Sequence, residues 1–86
     1  MARKLRFPVP VLTVDTPHQT NRPVTSSWAV WGDHSIFPGE ALASLSVNAA
    51  QVGSHEVIGA RVTAMQNGIN AGDWFLVAYG TAISYG

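Results

Sequence analysis

Few side chains in this sequence could do chemistry. There are three histidines, His18, His34 and His55, and the acids Asp15, Asp33 and Glu56 stand close to them. Such neighbours could hold a cation, but none of the three groups has a recognised metal-ligand spacing, and each falls in a stretch that reads as a loop, where a solvated histidine is expected. A metal or anion site then remains only where an oligomer axis brings copies of one histidine together. Cysteine is absent, which removes both thiolate metal sites and disulfides. There is no nucleophile elbow of the G-x-S-x-G type, no phosphate-binding glycine loop and no closely spaced carboxylate pair. The sequence therefore predicts no catalytic residue, no metal ligand set and no cofactor, and a protein that is not an enzyme.

The elements around these residues belong to one small domain of 86 residues. Hydrophobic residues make up 47% of the chain and charged residues 12%, about half the ~25% of an average soluble domain. A domain this small leaves much of its surface wet, so apolar atoms and small polar side chains must form most of its exterior. Sparse charge protects such a surface poorly against association, which argues for partners. The net charge is zero but unevenly placed. Arg3, Lys4 and Arg6 open the chain, and the rest sets Arg22 and Arg61 against Asp15, Asp33, Glu40, Glu56 and Asp73. Three cations are few for nucleic acid, where several phosphate contacts supply affinity. Pro8 and Pro10 interrupt any signal-peptide core, and the longest apolar run, "WFLVAY", is too short to span a bilayer. Neither nucleic acid nor a membrane is expected as a partner.

Along the chain, "FPVPVLTV" at 7–14 cannot be helical, because two prolines fix φ and remove donors. It reads as polyproline-like, or as an edge strand beginning near Val11. "VTSSWAVW" at 24–31 is a strand by its β-branched and aromatic content. "FPGE" at 37–40 reads as a type II turn. Residues 40–52 stay open between two readings: Leu42, Leu45, Ala49 and Val52 fit a helical stripe, while "ASLSV" alternates like a strand. "EVIGARVTAM" at 56–65 is a strand with Ile58, Ala60, Val62 and Ala64 on one face. "QNGINAGD" supplies turns, and "WFLVAYGTAI" at 74–83 is a strand apolar on both faces, hence covered on both.

Two groups of apolar residues suggest binding surfaces. Trp28 and Trp31 differ in parity, so one points into the core and the other at an interface. Trp74 and Phe75 repeat that arrangement. These four are the expected oligomer interface, since interfaces are enriched in tryptophan and an exposed one is costly without a partner. The second group is the N-terminal segment. Phe7, Val9, Val11 and Leu12 are too apolar for a tail left in water, and an extended, donor-poor segment suits a groove or sheet edge on another protein. The expectation is an anchoring arm over 1–14, with Arg3, Lys4 and Arg6 on an acidic partner surface, followed by one domain over 15–86.

Residues 37–83, "FPGEALASLSVNAAQVGSHEVIGARVTAMQNGINAGDWFLVAYGTAI", resemble the layout of small structural domains of tailed bacteriophages, such as head-fibre, decoration and tail proteins. The layout comprises Pro38-Gly39, a strand from Ala43 to Val47, Val52-Gly53, a valine-rich strand from Val57 to Val62, Gly68 or Gly72, and a long apolar strand from Trp74 to Ile83. His55 stands where an aspartate is usual. The resemblance implies a strand at 41–47 and an all-β fold, a small antiparallel β-sandwich of jelly-roll-like or Ig-like type. It also implies a virion structural protein assembled in a host cytoplasm, a homo-oligomer (a trimer by analogy), docked on a major capsid or tail lattice protein as decoration, cement, head fibre or tail component. The alternative is a carbohydrate- or receptor-binding head; a weaker third is a secreted lectin-like or toxin-like module.

Overall fold

A computed structural model describes residues 6–19, 21–66 and 74–86. Three strands, β1 (Val24–Trp31), β2 (Glu56–Gln66) and β3 (Trp74–Tyr85), and one helix, α1 (Pro38–Gln51), make up its regular structure. The strands form one open antiparallel sheet in the order β1-β3-β2, with α1 across one face. Both outer strands run antiparallel to β3, so β1 and β2 are parallel to each other and α1 is the crossover between them.

Strands at 24–31, 56–66 and 74–85 follow the sequence reading closely, but 41–47 does not: it is helical, and α1 lies where a second sheet was expected. The reasons are local. Pro38 takes the first turn, where its missing N–H costs no helical bond, and Glu40 faces the positive end of the helix dipole. Alanines fill the interior. The "FPGE" segment is thus a helix start and not a type II turn. At the other end Gly53 has φ +80°, its N–H reaches Ala50 O at 3.0 Å, and Ser54 N–H reaches Ala49 O at 3.2 Å, the left-handed stop that glycine permits. The buried stripe is Ala41, Leu45 and Ala49, while Val52 is exposed.

That stripe of small residues brings helix and sheet close together. It packs on Val30, Val57, Ala60, Ala78 and Ala82. A Cβ on Gly32 would lie 2.7 Å from Leu45 N and 2.9 Å from Ala41 O, so only glycine lets the helix backbone approach there. β2 carries a bulge between Ile58 and Arg61, with Gly59 at φ +62°. The extra residue shifts the alternation, so Val57 and Ala60 are buried and Ile58 turns to the far side of the sheet. The expected Ile58–Ala60–Val62 face is therefore broken at Ile58.

Residues 9–14 lie along the outer edge of β2 as a strap. Val57 N–H donates to Pro10 O at 2.9 Å, Leu12 N–H to Val57 O at 2.8 Å, Ala60 N–H to Leu12 O at 2.9 Å and Gly59 N–H to Val14 O at 2.7 Å. Val11 forms a parallel bridge with Val57, as the edge-strand reading has it. Val9 is in the core, where Ser46 Oγ accepts from Val9 N–H at 3.1 Å and donates to Val9 O at 2.6 Å. Ser46→Ala leaves both Val9 groups buried without a partner, at a cost of about 1–3 kcal/mol. Urea unfolding should register that loss, and limited proteolysis should cut residues 6–14 faster; unchanged stability and cleavage would show that the clamp does not hold the strap.

Candidate interaction surface

The face of the sheet away from α1 has two unlike ends. It carries Val24, Ser27, Ala29 and Trp31 from β1, the odd-numbered residues of β3, and Glu56, Ile58, Arg61, Thr63 and Met65 from β2, by the strand register and the period of two. At one end residues 15–19 and 21–22 fold over it. Glu56 is 2% exposed, yet its carboxylate is satisfied: Oε1 accepts from Tyr85 Oη at 2.6 Å and Oε2 from His18 N–H at 2.8 Å. Tyr85 Oη accepts in turn from Gln19 N–H at 3.1 Å. The Arg22 guanidinium lies 5.1 Å from the centre of the Tyr85 ring and donates to Gly86 O. His55 stacks on the same ring, and its Nδ1 accepts from Tyr85 N–H at 2.8 Å. This end is closed and its polar groups are paired.

At the other end no loop of the described residues covers the face. Trp31 sits opposite Tyr79, Tyr79 opposite Arg61, and Met65 opposite Phe75. Trp31 is 65% exposed, Met65 47% and Tyr79 45%. Phe75 is half-buried beside the His34 ring, 5.0 Å between centroids. Trp74, Ile36 and Phe37 add exposed apolar surface at the same end, where β3 begins and Ser35 bridges to Leu76. Apolar surface gathered in this way on one end of a small domain marks an interaction site better than scattered exposed residues do.

The expected site residues are distributed as follows. Trp28 is half-buried against the core and Trp31 is exposed on the opposite face, so the parity argument separates them. Trp74 is exposed and Phe75 half-buried. Of the arm, Arg3 and Lys4 lie outside the described residues. Arg6 and Phe7 are exposed and, with Pro8 and Val47, line a shallow groove. Val9 is buried, and Val11 and Leu12 are half-buried, all three against their own chain. Residues 9–12 therefore have a seat within the molecule. Tyr79 and Met65 were not singled out from sequence, because a strand apolar on both faces does not reveal which face is left open.

The three histidines occupy separate environments, and among the described residues no three His, Asp or Glu side chains converge as a metal site would require. Among the same residues no helix is long and apolar enough to cross a membrane. Arg61 and Asp15 approach to 3.9 Å, both exposed, a pairing of little energetic weight.

Burial, with the Glu56 hydrogen bond added to it, raises the Tyr85 phenol above its usual value near 10. Its contribution to stability is complete below about pH 10 and is lost as pH rises through the raised value. Denaturant unfolding between about pH 8 and about pH 11 should show a steeper alkaline loss in the parent than in Tyr85→Phe. Parallel profiles would mean that Tyr85 does not titrate from this buried position. No family model matches the chain, and neither a curated protein nor a solved structure matches it.

Proposed function

We propose that the protein is a non-enzymatic structural component of a phage-like virion, present in many copies and seated on a capsid or tail lattice. The observation that carries this reading is the uncovered aromatic end of the sheet, with Trp31, Tyr79 and Met65 on a chain whose charged residues amount to 12%. Such a surface is stabilised when another protein removes it from water, at roughly 25 cal/mol per Å² of apolar area. Among the described residues no cluster of three His, Asp or Glu side chains competes for that surface. The buried carboxylate of Glu56 has both oxygens engaged within the fold, so it serves packing.

Anchoring is shared between two regions in this reading. The aromatic end supplies apolar area, and Arg6 and Phe7, which precede the strap, present a cation and an aromatic ring beside Val47. Arg3 and Lys4 add to that basic start in sequence, and an acidic lattice surface suits it. With α1 as the layer on one face, the lattice partner supplies the layer on the other.

A second reading has one observation behind it. Trp31 is exposed with Asp33 and His34 close in sequence, and Asn48 bonds its carbonyl at 3.0 Å, which resembles part of a sugar-stacking platform and suits a carbohydrate- or receptor-binding head.

The test is recovery with assembled particles. The structural role predicts a fixed ratio of this protein to the lattice protein, and a loss of about tenfold or more in occupancy for Trp31→Ala and for Tyr79→Ala, if these are central contacts. Undiminished occupancy in both variants contradicts it. A shift in tryptophan emission on adding a glycan, abolished by Trp31→Ala, would favour the second reading instead.

A further inference from the structure

Backbone hydrogen-bonding capacity is left over on one side of the sheet. β1 is an outer strand, and among the described residues no strand pairs with its far side. Gly32 N–H donates to Ala78 O at 2.8 Å, beside the pairing of Trp31 with Tyr79. Antiparallel ladders alternate residues that turn both backbone groups to the neighbour with residues that turn both away. Val30 and Trp28 therefore bond β3, and Ala29 and Ser27 point outward. Trp31 is next in the outward series, but its carbonyl is taken by the Asn48 side-chain amide at 3.0 Å. The open stretch centres on Ser27 and Ala29.

Edge strands are normally guarded by charge, proline or bulges. "VTSSWAVW" has no charge and no proline, and its one irregularity lies at the start, between Val24 and Ser26. The opposite edge of the sheet is treated differently. The strap covers β2 over Val57–Ala60, and Pro8 and Pro10 deprive its N-terminal part of donors. A head-to-tail ring built by pairing β1 with the next copy's β2 is obstructed by that strap over Val57–Ala60. An isologous pair of β1 strands is not.

We propose that β1 pairs antiparallel with β1 of a second copy about a two-fold axis at Ser27, joining two three-stranded sheets into one. In this register Ser27 faces itself, and the second copy's Ala29 falls opposite Thr25, the residue at the β1 irregularity. Ser26 faces Trp28, and beyond the irregularity Val24, 41% exposed, lies on the open face with Tyr85. No like charges meet, and the carbonyl bond from Asn48 to Trp31 is kept. The aromatic ends of both open faces stay on the same side, free for a lattice. The inference rests on the assembly reading, for which it names the contact between copies.

A charge placed at Ser27 must meet its own copy across the axis, which gives the test. Sedimentation equilibrium from about 1 to about 500 µM should show the parent rising from one chain mass to two. Ser27→Lys and Ser27→Glu should each associate about fivefold more weakly at low salt. Their equimolar mixture should associate about fivefold more tightly than either alone, and about 1 M salt should level the differences. Ser27 is exposed, so both variants should unfold like the parent. Ser27→Pro removes an outward donor without taking one from β3, and should leave a folded monomer. A parent that stays monomeric, a three-chain mass, or equal association of the variants and their mixture overturns the proposal. If the parent nevertheless recovers with particles, the edge contact alone fails. A charge-sensitive dimer that never enters particles supports the edge contact and sinks the assembly reading alone.

Discussion

A fourteen-residue helix is all that the described chain lays across a three-stranded sheet, and a sheet has two faces. The face under α1 is dry and tightly spaced, because Gly32, Ala41, Ala49, Ala78 and Ala82 let helix and strands approach closely. The other face has no comparable layer. One end of it is closed by the segment around His18 and Gln19 and the hydrogen bonds around Glu56 and Tyr85. The other presents Trp31, Tyr79 and Met65 to solvent. Both the fold and the proposed role follow from this shortage of covering layers.

Electrostatics does little to offset it. With five cations and five anions in the whole chain, neither net charge nor charge density keeps copies apart. The buried polar groups that do exist serve the fold. Ser46 fixes Val9 by two hydrogen bonds, and Glu56 ties Tyr85 to the loop. The strap covers one sheet edge over Val57–Ala60, and among the described residues the other edge has no strand paired with it. Among the described residues α1 covers one face and the strap part of one edge, and in the proposed reading neighbours cover the rest.

Much of the sheet was legible in the sequence, since β-branched and aromatic residues between turn signals mark 24–31, 56–66 and 74–85 well. The helix was not, because "ASLSV" alternates like a strand and the family layout tipped an even choice away from the alanine propensity. The bulge at Gly59 was hidden for a similar reason: a glycine within a strand signals irregularity, but one letter does not say which neighbour changes face. The apolar arm residues were read as reaching for a partner, yet Val9 enters its own core, and its clamp, Ser46, is 37 positions away in sequence. Of the surface, the split between Trp28 and Trp31 followed from parity alone. Tyr79 and Met65 did not, because cover on a sheet face is decided by distant segments such as the one around His18 and Gln19.

Amide hydrogen exchange read residue by residue, at high and low protein concentration, examines the central claim most directly. If neighbours complete this sheet, the Ser27 and Ala29 amides exchange slowly when concentrated and quickly when dilute, while Trp28 and Val30, bonded to β3, stay protected throughout. Exchange along β1 that ignores concentration, in a molecule that stays single and remains dissolved, would contradict the account.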